Sequence, residues 1–275
     1  MRGLIVLSAM MMLAFPAAAQ NIALTAAPCS NPPPPAAVPA PVTPSIAAGT
    51  VAARNRDFAL ALANFKPLAE QGDVDAERAM GQLLMQNCTG IEDRPAGLQW
   101  LTKAAAAGNV PAKTLLGLAY LTGHGVPQDD NKAFAFFSQS AEAGNAVGEM
   151  QLGYLYLTGR GVPQDKYQGL QWTVKAAEQG NANALGNIAA AYMRGEVLEK
   201  DTDRAAYFLA LANERSNPAQ RAEMMGISQE IRQAVSASDL ARATSRAQRW
   251  SPGPGSLRDV LSDAEDFRKR KRASN

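Results

Sequence analysis

Small and apolar residues recur through the middle of the chain at helical spacing, and polar residues punctuate them at regular intervals. Ala112, Leu115/Leu116 and Ala119/Tyr120 form one stripe between Asn109 and Gly123, and Ala133, Phe136/Phe137 and Ala141 form the next between Asp129 and Gly144. Steps of three and four residues place such side chains on one face of a helix. Asn and Asp side chains accept backbone N–H groups at a helix start, and glycine tolerates the left-handed dihedrals at its end. The pattern therefore predicts a helix A, a turn through Gly123-His124-Gly125-Val126-Pro127-Gln128, and a helix B, after which Asn145 restarts the cycle.

The cycle has a fixed length. Leu115–Asn145 (LLGLAYLTGHGVPQDDNKAFAFFSQSAEAGN) returns 36 residues later as Gln151–Asn181 (QLGYLYLTGRGVPQDKYQGLQWTVKAAEQGN). The same step joins Gly72, Gly108, Gly144 and Gly180, and Asp57, Asp93, Asp129, Asp165 and Asp201. It also joins Trp100, Phe136, Trp172 and Phe208, and Tyr120, Tyr156 and Tyr192. A period of this length marks an array of helical repeats. The array is expected over 46–216: a half-repeat at 46–72, whose first helix is poorly written, then repeats at 73–108, 109–144, 145–180 and 181–216. End repeats depart from the pattern because one face meets solvent.

The repeated residues carry a resemblance. Leu116-Gly117, Tyr120, Gly123, Gly125-Val126 and Asp129, then Trp172 and Lys175-Ala176-Ala177-Glu178 before Gly180, resemble the Sel1-like repeat family, longer relatives of tetratricopeptide repeats. The match covers Asp73–Ser216. The first repeat loses the glycine pair in Asn87-Cys88-Thr89-Gly90-Ile91-Glu92, and the fourth has Ala189 for the usual glycine and ends without a glycine cap. The resemblance implies an all-α, right-handed superhelical solenoid of antiparallel helix pairs whose concave face binds peptides or proteins. Positions that the family's pattern leaves open hold Gln82, Leu118, Tyr154 and Ala190 in one row and Met85, Leu121, Leu157 and Met193 in another. From these, Gln82, Met85, Leu118, Leu121, Tyr154, Leu157 and Met193 are the candidate partner-binding residues. The same spacing also suits side chains that only pack helix A on its neighbours.

The flanks set the setting. Arg2, an apolar run from Leu4 to Phe15 and Ala17-Ala18-Ala19 have the layout of a cleavable export signal over 1–19. Residues 20–45 are Pro/Ala-rich, with Pro32 to Pro35 consecutive, and read as an extended, semi-rigid linker. A periplasmic or secreted location follows as an expectation, and it changes the meaning of the two cysteines. Cys29 and Cys88 then either form a disulfide that ties the N-terminus to the first repeat or remain two unpaired thiols. Beyond the array, 217–250 reads as two capping helices, Pro218–Val235 and Ser238–Trp250, with Trp250 as an anchor. Residues 251–275 read as a Pro/Gly break and a solvated basic tail.

Composition narrows the function. The chain of 275 residues is 47% hydrophobic with a net charge of +2, but residues 241–275 hold nine Lys/Arg against four Asp/Glu, leaving the remainder net negative. That balance gives no nucleic-acid footprint, and the basic run Arg268–Arg272 is suited at most to weak contact with an anionic surface. His124, the only histidine, lies between two loop glycines and reads as a solvated loop residue. No catalytic, cofactor-binding or metal-ligating set emerges, because period-related aspartates are held apart along a solenoid. The expectation is a monomeric, non-catalytic scaffold for an envelope protein or peptide. The alternative is a periplasmic regulator that binds a sensor-kinase ectodomain, a layout shared by exported Sel1-like proteins of similar length.

Overall fold

The computed structural model describes residues 43–86 and 90–274. The signal, nearly all of the Pro/Ala linker, and Cys29 and Cys88 lie outside the described residues, as do the centre of the first repeat's loop and Asn275. Among the described residues the chain is helical and has no strand. An N-terminal pair, α1 (Ile46–Arg54) and α2 (Phe58–Glu70), leads into four A/B pairs. These are α3 (Val74–Met85) with α4 (Arg94–Ala106), α5 (Val110–Thr122) with α6 (Asp130–Glu142), α7 (Ala146–Thr158) with α8 (Lys166–Glu178), and α9 (Ala182–Arg194) with α10 (Thr202–Arg215). The antiparallel pairs stack into a right-handed superhelical solenoid.

Local chemistry sets the start of every helix in the four repeats. Asp73, Asn109, Asn145 and Asn181 accept the N–H groups of Ala76, Ala112, Gly148 and Ala184 at the starts of the A helices. Asp93, Asp129, Asp165 and Asp201 do the same for the B helices. Each such bond satisfies a helix-end donor and contributes about 1 kcal/mol. Packing follows the same period: Tyr120 stacks on Phe136 at 5.8 Å between ring centres, and Tyr192 stacks on Phe208 at 5.7 Å. Helices approach closely where one of them is bare, as at Gly117, which lies against the ring of the fully buried Phe137.

The C-terminal end differs from the sequence expectation in three places. The first capping helix is broken into α11 (Pro218–Glu223) and α12 (Met225–Ala234), and Met224 is buried at the break. The second, α13 (Ala237–Ala247), begins before the expected Ser238 and stops short of Trp250, and Ser236 caps it, its hydroxyl accepting from the Asp239 N–H. The basic tail is a helix, α14 (Arg258–Ala273), lying against α8. Leu257, Val260 and Ala264 are buried there in the same apolar cluster as Leu170 and Tyr192. Trp250 packs on that cluster, with the Arg215 guanidinium 4.6 Å from its ring centre.

Candidate partner-binding site

The A helices distribute the candidate residues unevenly. Met85, Leu118 and Leu121 are buried in the core that spans the first three repeats, so the apolar stripe expected along the A helices is not an open surface at these points. The physical reason is packing within the stack: Met85, for one, lies against Gly97 on helix B of its own repeat and against Gly125 in the next repeat's loop. Gln82, Tyr154, Leu157 and Met193 remain partly exposed. Gln82 accepts from Arg78 at 3.1 Å. Tyr154 lies within reach of the Arg160 guanidinium at 3.5 Å.

A bond between repeats recurs at the A–B loops, and it corrects the reading of His124. That side chain is not simply solvated: its Nε2 lies 2.7 Å from the Met85 carbonyl oxygen at the end of α3. One period on, Arg160 occupies the equivalent position and donates to the Leu121 carbonyl at 3.1 Å. Arg160 also pairs with Asp130 at 2.6 Å. At the next interface Glu196 stands in that place, has no donor for a carbonyl, and pairs with Lys166 at 3.1 Å. The charges have exchanged positions, since Lys166 is the period equivalent of Asp130. The Leu157 carbonyl receives the Gln164 amide instead, at 2.6 Å.

Two concavities open on these elements. One, about 250 Å³, lies where α1, α2 and α3 meet and is lined by Arg54, Phe65, Arg78, Gln82 and Gln86 among others. The other, about 80 Å³, lies between the third and fourth repeats and is lined mainly by apolar groups, including Leu157, Leu170, Ala190 and Val197. The polar groups at the second are engaged with one another or with the backbone: Lys166 pairs with Glu196, and the Thr158 and Thr173 hydroxyls donate to the Tyr154 and Gly169 carbonyls. The buried carboxylates are already engaged: Glu77 with Lys103 at 2.6 Å, and Glu149 with the Gln179 amide at 2.7 Å. Burial pushes the Glu149 carboxyl above its usual range. Among the described residues no cluster of His, Cys, Asp and Glu could hold a metal ion, and no helix is long and apolar enough to cross a membrane.

Residues 74–109, 110–145, 146–181 and 182–217 match the Sel1 repeat, more than half of the chain. The chain belongs to the Sel1 repeat family. Members of this family generally mediate protein–protein interaction, and their fold is typically a non-catalytic scaffold. A Sel1 repeat protein from Oxalobacter formigenes is similar in fold, with a TM-score of 0.54 and 22% identity over 81% of this chain and 99% of its own. The protective antigen c5321 of uropathogenic Escherichia coli, of the same repeat fold, gives 0.51 and 24% over 70% of this chain and 44% of its own. This chain thus spans less than half of the length of c5321. No curated protein matches at significance.

Within the Sel1 array, the Asp130–Arg160 pair gives a direct test of the bond between repeats. The Arg160 guanidinium, hydrogen-bonded to Asp130, holds its carboxyl below the usual carboxylate range. A carboxylate whose folded pKa is depressed adds stability above its unfolded pKa, about 4, and loses it as pH falls through the folded value. Asp130→Asn is therefore expected to be less stable than the parent at pH 7, with a gap that narrows once the pH drops below about 4. Urea midpoints at pH 7, 5 and 3 read this; an unchanged gap at pH 3 would mean that ionisation of Asp130 is not what holds the loop.

Proposed function

We propose that this Sel1 repeat protein is an exported, monomeric, non-catalytic scaffold that binds another cell-envelope protein through the A-helix face of its array. The observation that carries the reading is the placement of Gln82 and Leu157. Both occupy the open positions of the repeat on A helices, two repeats apart, and each lines a concavity that remains accessible. The family's general role in protein–protein interaction and the signal-like residues 1–19 support the same reading.

A photo-reactive residue placed at 82 or at 157 in the growing cell tests it. The expected result is one discrete adduct, identified by mass spectrometry, from both positions and none from Glu142, an exposed residue of the B helix α6. Equal labelling at Glu142, or no adduct from 82 and 157, would reject the A-helix face. Sequencing of the recovered protein should start at Gln20, and an intact Met1 would reject cleavage of the signal. Recovery of a histidine-kinase ectodomain would narrow the scaffold to the regulator of a sensor.

A further inference from the structure

The small concavity between the third and fourth repeats has a cause that can be read residue by residue. Its lining includes Leu170, Thr173 and Ala190. One period earlier the equivalent positions hold Phe134, Phe137 and Tyr154. Three rings have been replaced by an isobutyl group, a hydroxyl-bearing stub and a methyl, and the interface has not collapsed to compensate. The loop bond that holds the preceding interface is also absent here, because Glu196 cannot donate to the Leu157 carbonyl as Arg160 donates to Leu121. The result is a cavity of about 80 Å³ with an apolar floor. An engineered apolar cavity of about 150 Å³ takes up benzene, so roughly half that volume suits a branched aliphatic side chain.

The rim selects what accompanies that side chain. Lys166 and Glu196 neutralise each other across the mouth at 3.1 Å. Arg194, which also lines the cavity and is exposed, has no ion-pair partner among the described residues. The residual charge at the mouth is therefore positive, and a guanidinium pairs well with a carboxylate. Asn187 lies two turns before Arg194 on α9, with Ala190 and Ala191 between them, and all four line the cavity. A carboxamide offers both a donor and an acceptor and so matches a peptide main chain. Thr173 makes no demand on a ligand, because its hydroxyl already donates to the Gly169 carbonyl at 2.8 Å.

We infer that this cavity is the specificity pocket of the A-helix face: it takes a leucine-size side chain of a partner protein's segment, with an adjacent Asp or Glu side chain on Arg194. This inference rests on the scaffold reading above and adds the chemistry of the partner. Leu157, one of the candidate partner-binding residues, forms part of the pocket floor.

The test pans phage-displayed random dodecapeptides, fused at their C-termini to the coat protein, against the full chain, Ala190→Tyr and Arg194→Glu. Ala190→Tyr restores the residue that the preceding repeat carries at that position, and Leu170→Phe is the substitute should the tyrosine variant fail to fold. Arg194 is exposed, so its replacement leaves packing intact. The parent should enrich sequences in which Leu, Ile or Met neighbours Asp or Glu. The best synthetic peptide should lose at least tenfold in affinity for either filled-pocket variant at unchanged helicity. Arg194→Glu should lose the acidic preference and keep the aliphatic one. Failure to enrich such a motif, or equal affinity for the filled variants, would overturn the pocket. The photo-adduct from position 82 separates the two readings: if it persists while the peptides fail, the scaffold stands and the pocket falls, and if both fail, the scaffold reading falls as well.

Discussion

Gly161→Ala will destabilise the array by more than about 3 kcal/mol, whereas Gly144→Ala will cost only about 1 kcal/mol. Both glycines are left-handed, with φ of +66° and +76°, so both variants incur the same penalty for a side chain in that region. They differ in what a methyl group would meet. At Gly144 nothing lies within 4 Å, while at Gly161 the new carbon would overlap the backbone carbonyl of Asp130. That carbonyl belongs to the first turn of α6, and the Asp130 side chain is itself bound to Arg160 in the same loop. Neither partner can retreat without opening the interface between the second and third repeats. Urea denaturation of the two variants side by side isolates the overlap, since the dihedral cost cancels. Equal losses would show that the loop yields freely and does not fix the spacing of the repeats.

The contrast explains why so much of this fold can be read from its letters. Caps and turns are local, and the Asp and Asn caps, the left-handed glycines and the A/B alternation are all set by residues within a few positions of one another. Burial in the stack is not local. Met85, Leu118 and Leu121 fit an open groove and a packed core equally well as a pattern, and only the packing of helix against helix in the folded stack decides. The role of His124 lies 39 residues away at Met85. A signal for it was present, because Arg160 occupies the same place in the next repeat and Glu196 the one after, so the loop position changes chemistry from interface to interface. The small pocket was also visible in principle, once the repeats are compared column by column for size instead of for identity. Phe134, Phe137 and Tyr154 shrink together to Leu170, Thr173 and Ala190, and such a coordinated loss of volume leaves a space.

Removing α14 by ending the chain at Trp250 will lower the stability of the C-terminal repeat by about 2–4 kcal/mol, after the ordering entropy recovered by the deleted residues offsets part of the lost burial. Composition suggested a solvated tail there, since Asp259, Asp263 and five consecutive cations dominate the segment. The charges mislead because several find partners on the array. Asp263 pairs with Arg204 and accepts from the Tyr192 hydroxyl at 2.7 Å, Arg270 pairs with Glu199 at 2.8 Å, and Arg268 lies 4.5 Å over the Tyr167 ring. Beneath them Leu257, Val260, Leu261 and Ala264 recur at helical spacing, and all but Leu261 are buried. Fully burying a Leu or Val side chain contributes about 1.5–3 kcal/mol, so two of them anchor the helix. The energetics of a solenoid are those of neighbouring units, and the loss should remain near its source. Hydrogen exchange should therefore accelerate by tenfold or more in α8, α9 and α10, while α3 to α6 exchange as in the full chain. Uniform acceleration along the array would mean that the repeats unfold as one block, and no acceleration would mean that the contacts of α14 contribute nothing. Local acceleration would establish α14 as the cap that holds the C-terminal repeats of an open-ended stack.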